Sequence, residues 1–356
     1  MLKILEKKIA DYFNRKYCIF LGSGGTSLYV IFKALGFEKG DTVLYPDITC
    51  ETALNPSIYA GLKAVFSDIR LYDYNFDIEK TVLLSKTQNV KAIVATHIFG
   101  HSLDLSELKK KVSKDVIIIE DAAQSFGAKI DSSITGNMGD ASIISFGKNK
   151  IIDCGGGGAV LTDSKEFYEK CCEIRKKINN DISARENLRK QFMLDYFSIS
   201  KNANDSKDFI TERDKLKLKY KDVYVFQADK ELINTALNKI DNIDEIINKR
   251  IEISNKIYDF IKGNIDYITL PKIDGDKLLW RLSFIVKEGR DKLYDELINN
   301  GFKVTKFFKP LHKEYDLDEN LFPSSNYFYQ YIINLRLDIN MNDINKLFKI
   351  LSSIQR

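Results

Sequence analysis

The chain has 356 residues, 44% of them hydrophobic and 29% charged, the make-up of a globular protein long enough for two domains. Its 54 Lys and Arg against 50 Asp and Glu leave a net charge of +4 with no basic block, which gives no footing for nucleic acid. No run approaches the ~18 apolar residues of a membrane span and the charged N-terminal segment lacks a signal peptide's apolar core; with five cysteines in no paired metal spacing, a reducing, cytoplasmic setting is expected.

In chain order, apolar residues at helical spacing over 2–13 are followed by a short strand at 17–21, a glycine turn at 22–25 and a helix at 26–35. The pattern then predicts strand 42–45, helix 51–60, strands 64–66 and 92–96, helix 104–112, strand 116–120, strands 141–146 and 158–162, and helix 165–177. Short apolar strands separated by helices predict an α/β fold, a mostly parallel sheet covered on both faces. Residues 179–221, rich in Asn, Asp, Lys and Ser, break this alternation and are expected to form a long excursion with partial helix. Its piece 200–208, SKNANDSKD, is the least foldable part of the chain. Insertions of this length tend to be lids or contact arms, so a reach toward a partner subunit is expected. A long helical pattern over 223–261 joins a large cofactor-binding domain, 1–235, to a smaller α+β domain, 236–356, with strands at 280–286 and 303–307 and helices at 290–300 and 341–354.

Chemistry concentrates between Glu120 and Gly158, where EDAAQ, SFGKNK and four consecutive glycines follow one another. Asp121 directly follows the apolar run VIIIE, at the carboxyl end of a strand, where ligands of open α/β sheets bind; a plain helix cap is the bland alternative. Gln124 stands three residues on. A lysine that attacks an aldehyde needs a rigid support and partial desolvation. Lys150, five residues past Ser145, meets that description, Lys148 is its rival, and either could equally be a surface lysine. GGTS at 24–27 opens a helix with free N–H groups and two hydroxyls, an anion site that is neither a Walker A nor a dinucleotide motif. Of three histidines, His97 and His101 are four apart, but a preceding strand and Gly100 argue against a helical metal pair, and no metal is expected. His97 and His312 are candidates to line a substrate pocket, with a structural role the even alternative.

The spans GGTSL, TCETALNPSIYAGLKAVFSDI, THIFGHSLDL, IIEDAAQSFGA, GDASIISFGKNK and GGGGAVLT resemble successive blocks of the DegT/DnrJ-type sugar aminotransferases, fold type I enzymes of pyridoxal 5'-phosphate. The resemblance implies that Gly25, Thr26, Ser27 and Ser145 hold the phosphate, that Asp121 pairs with the pyridine nitrogen, and that Gln124 approaches the ring hydroxyl. It selects Lys150 over Lys148 as the Schiff-base lysine and puts Cys50 where family members stack an aromatic on the ring. It further implies transfer of an amino group from glutamate or glutamine to a nucleotide-linked keto sugar, for glycan or surface polysaccharide biosynthesis, by a homodimer with shared active sites. One block departs: the expected G-x-N-x-R is KLKYKDVY at 217–224, which leaves the residues reaching the neighbour's cofactor and the substrate unassigned. A sugar dehydratase, in whose known form histidine replaces the lysine, and a non-catalytic binding descendant are the alternatives.

Overall fold

Runs such as IIIED and ASIIS carry apolar side chains on both faces and fit only a strand covered from two sides. In the computed structural model, which describes residues 1–131, 133–202, 206–273 and 277–353, they form the middle of a seven-stranded sheet. Its order is Tyr17–Leu21, Gly158–Thr162, Ala141–Ser145, Ile117–Asp121, Val90–Thr96, Thr42–Pro46 and Lys63–Ser67. Gly158–Thr162 pairs antiparallel with both neighbours and the remaining pairings are parallel. Alternation along the strands feeds two cores: Ile19, Leu21, Val94 and Ile143 pack with helix Gly24–Ala34, while Phe20, Ile144, Phe146 and Leu161 pack with helix Leu2–Tyr12. Leu21, Asp121 and Ser145 all end their strands at one edge of the sheet, so the turns after them converge.

The predicted helix over 223–261 is not continuous. Helix Lys221–Tyr224 stops, residues 225–229 run outside any helix, and Lys230–Asp241 and Ile243–Asn264 follow as separate helices, the first of these two capped by Asp229. In the last helix Ile243 and Ile247 pack into the core of the large sheet, whereas Ile253, Ile257 and Ile261 pack under a second sheet. That antiparallel sheet runs Ile268–Thr269, Arg281–Val286, Ile332–Arg336, Val304–Thr305. The strand predicted at 303–307 is thus only two residues long.

Two buried carboxylates at the large sheet's edge hold the C-terminal part against it. Asp47 accepts the His312 backbone N–H and its Nδ1–H, both at 2.7 Å. Asp68 accepts the Ser325 N–H and hydroxyl, each at 2.9 Å, and pairs with Lys80 at 2.8 Å. The polar excursion is more helical than expected: Ile182–Asn202 and Ser206–Lys219 pack through Phe192, Leu216, Tyr220 and Val223. Residues 203–205 of its SKNANDSKD piece lie outside the described residues. The excursion is bolted to the rest of its own chain on both sides, since buried Arg213 meets Glu51 near the large sheet and Glu314 in the C-terminal part, and Lys217 donates to Glu51 at 2.6 Å.

Candidate active site

Gly22 follows the first strand and Ser23, in extended conformation, caps helix Gly24–Ala34 by accepting the Thr26 N–H at 3.0 Å. The turn is pressed against its neighbours. A Cβ on Gly158 would stand 2.3 Å from Ser23 C and 2.4 Å from Gly24 N, so only glycine fits there. The two hydroxyls expected to meet a phosphate are committed elsewhere: Thr26 Oγ1 donates to the Tyr224 carbonyl at 3.0 Å and Ser27 Oγ to the Ser23 carbonyl at 3.1 Å. Thr26 and Ser27 therefore hold the turn in shape. Gly24 and Gly25, whose N–H groups have no preceding helical carbonyl to reach, line a cavity at the positive end of the helix dipole.

Glu120 and Asp121 point to opposite sides of their strand and do different work. Glu120 is fully buried and saturated: it accepts from His97 Nε2–H at 2.8 Å and from the Gly136, Met138 and Gly139 N–H groups, and these bonds hold its carboxyl below the usual range against burial. His97 Nδ1 accepts the Leu103 N–H at 2.9 Å, so both ring nitrogens are spent inside the fold. Asp121 lines a cavity. Its Oδ1 accepts the Ala123 N–H at 2.9 Å and its Oδ2 the Thr96 hydroxyl at 3.3 Å; burial raises its carboxyl, with the Ala123 N–H and the Lys150 charge opposing. Gln124 gives its Oε1 to the Phe99 N–H at 2.9 Å, which leaves its amide NH2 as the group it has for the cavity.

Lys150 lines the same cavity and lies 4.9 Å from the centre of the Trp280 ring, whose Nε1–H anchors the lysine's loop through the Asn149 carbonyl at 2.6 Å. Burial pushes its amine below the ordinary range; Arg281 adds to this, while Cys50 and Asp121 oppose it. Lys148, by contrast, is exposed and outside the lining. Cys50 stands on the cavity wall with Sγ 3.1 Å from Thr52 Oγ1, and Ser145 completes the turn side.

The cavity measures about 300 Å3 and gathers Gly25, Cys50, Asp121, Gln124, Ser145 and Lys150 of the predicted set. His312 is not among them. It lies between Asp47 and Asn326 with its ring stacked on Phe322, 4.5 Å between centroids, so it and His97 are corrected from substrate candidates to structural histidines. Sequence patterns missed Tyr59, Tyr224 and Phe226. The segment occupying the place of the G-x-N-x-R block crosses the phosphate turn, where the Phe226 carbonyl accepts the Gly22 N–H at 3.0 Å, and so carries two aromatic residues into the wall.

The cavity brings together groups that would suit a phosphate, a ring nitrogen and an aldehyde, the Gly24–Gly25 turn with Ser145, Asp121 and Lys150, and its lining residues Thr49, Asn55 and Tyr59 carry buried polar atoms with no partner in the chain. Among the described residues no group of three His, Cys, Asp or Glu is arranged for a metal, and no helix is long and apolar enough to cross a membrane.

A model of the DegT/DnrJ/EryC1/StrS aminotransferase family matches residues 2–202. The chain is similar to the GDP-perosamine synthase of Escherichia coli O157:H7, 32% identical over 174 residues that make up 48% of this chain and 47% of that protein, so this match spans about half the length of the relative. With the GDP-perosamine synthase of Vibrio cholerae it shares 24% identity over 340 residues, 93% of this chain and 83% of that one. Two solved structures share the fold: a DegT DnrJ EryC1 StrS aminotransferase from Brucella abortus, 19% identical with a TM-score of 0.78 over 98% of this chain and 88% of that one, and a GDP-4-keto-6-deoxymannose-3-dehydratase with bound GDP-perosamine, 20% identical with a TM-score of 0.75 over 98% and 92%.

Proposed function

The chain belongs to the DegT/DnrJ/EryC1/StrS aminotransferase family, and from that premise we propose that it uses pyridoxal 5'-phosphate to move an amino group from glutamate or glutamine to a nucleotide-linked keto sugar. The observation that carries this is Lys150 and Asp121 lining one cavity with the anion-ready turn of Gly24 and Gly25. When bound, the cofactor supplies an electron sink for the carbon that bears the amine. The N–H groups of Gly24 and Gly25 and the Ser145 hydroxyl hold the phosphate. Asp121, fixed by Ala123 and Thr96, faces the ring nitrogen and keeps a proton on it. Gln124 donates its NH2 to the ring oxygen. Lys150 is the covalent anchor, and the burial that lowers its basicity keeps Nζ able to take a proton from the donor's α-carbon and deliver it to the cofactor side.

The sugar acceptor is supported by the relatives named as perosamine synthases. A role in building a glycan or surface polysaccharide follows from such an acceptor. A homodimer is part of the proposal, since Leu194 and Phe197 stand exposed on the outer face of the excursion helix, ready for a second copy.

The test compares three purified proteins, wild type, K150A and K148A, with added cofactor. Wild type and K148A should be yellow and change colour on addition of glutamate; K150A should do neither. Loss of colour in K148A with retention in K150A would overturn the assignment.

A further inference from the structure

Buried polar atoms are paired in native proteins, and an unpaired hydroxyl is destabilising unless something outside the chain completes it. Tyr59, one of the residues that line the cavity, carries such an atom in its Oη. The residue is only 6% exposed. It belongs to the short helix Asn55–Ala60, whose Pro56 Cγ lies 4.0 Å from the position a Gly25 Cβ would take. Its ring stacks on Tyr224 at 6.3 Å and 13°, and the Tyr224 carbonyl is the one that holds the Thr26 hydroxyl. Tyr59 is thereby wedged beside the phosphate turn from two directions.

Ser145 is the side-chain donor already assigned to the phosphate, and the helix that follows the turn adds none. Thr26 and Ser27 have spent their hydroxyls on the backbone, and among the described lining residues the only cation is Lys150, which the aldehyde requires. A phosphate dianion held here needs a further neutral donor. We propose that Tyr59 Oη donates a hydrogen bond to the phosphate of the cofactor, as the side-chain contact that the committed hydroxyls do not supply. Burial pushes the Tyr59 phenol up, which keeps it a donor at working pH. The inference rests on the cofactor half of the proposed function and is independent of the amino-group transfer.

The experiment titrates apoprotein with pyridoxal 5'-phosphate and, separately, with pyridoxal, which has the same aldehyde and ring but a hydroxyl in place of the phosphate. Visible absorbance of the lysine-bound chromophore is the readout. Y59F keeps the ring and its stacking and should bind pyridoxal 5'-phosphate about tenfold more weakly, equivalent to ~1.4 kcal/mol, with pyridoxal affinity unchanged within about twofold. Because the phenol has no partner in the chain, apo Y59F should melt at or above the wild-type temperature. Equal losses for both aldehydes, no loss for the phosphorylated one, or a destabilised apoprotein would each overturn the assignment. Wild type that binds neither aldehyde would overturn it together with the cofactor, whereas the expected selectivity in a protein inert toward amino donors would sustain Tyr59 and remove only the transferase reading.

Discussion

Gly158→Ala places a methyl group where the structure has the backbone of the phosphate turn. The new Cβ would lie 2.4 Å from Gly24 N and 2.3 Å from Ser23 C, and an ordinary contact of about 3.4 Å requires the turn to retreat by roughly 1 Å. Backbone cannot rotate away as a side chain can. A Gly24 N–H displaced that far from a phosphate oxygen loses its hydrogen bond, and a bond to a charged group is worth about 1.5–3 kcal/mol, or ~10–100-fold in cofactor affinity. Overpacking adds a stability cost of about 1–3 kcal/mol. Gly156→Ala is the control, since its Cβ meets the Gly22 carbonyl oxygen and the Leu232 side chain at 3.6 Å and beyond. Absorbance titration with pyridoxal 5'-phosphate, paired with thermal melting, should separate the two variants by at least tenfold in affinity. Equal affinity in G158A and G156A would refute the claim that this glycine sets the turn.

Cys50→Phe restores an aromatic face on the cavity wall and should tighten the cofactor by about 2–10-fold, from the ~0.5–1.5 kcal/mol of a ring contact; equilibrium titration reads it, and weaker binding would show that Cys50 does not face the ring. Asp68 ties the C-terminal part to the large sheet. Although burial pushes its carboxyl up, bonds from Lys80 and Ser325 outweigh this and hold it below the usual range. A depressed folded-state value gives stability that is present above the unfolded value of about 4 and is lost as pH falls through the folded one. D68N should therefore melt lower at neutral pH, by an amount worth about 1–3 kcal/mol after screening at the half-exposed Lys80, and the gap from wild type should close below about pH 4. A gap that widens in acid would reverse the sign assigned to Asp68.

The sheet was legible because both-face burial leaves an unmistakable trace: apolar runs such as VIIIE and ASIISF cannot sit elsewhere. The glycine run was legible in kind, and packing shows that Gly158 is the member the phosphate turn depends on. Direction was what spacing concealed. Thr26 and Ser27 stand where a phosphate-binding turn has hydroxyls, yet a hydroxyl rotates to whichever acceptor is nearest, and here those are the carbonyls of Tyr224 and Ser23. The first is contributed from nearly two hundred residues away and leaves no local signal. The same long-range closure hid Tyr59, Tyr224 and Phe226, whose composition suits any core. His97 and His312 each found a buried carboxylate on another element, Glu120 and Asp47. The break after Tyr224 escaped notice because residues 225–229 keep the apolar content of their flanks while running along Gly22.

The most direct test of the central claim follows the two halves of the reaction on one sample. Holoprotein mixed with glutamate and freed of products should lose its lysine-bound colour and retain the amino group; addition of a nucleotide-linked keto sugar should then restore the colour and release one amino sugar per site. Colour that never responds to glutamate or glutamine, or an aminated protein that no such sugar discharges, would contradict the account.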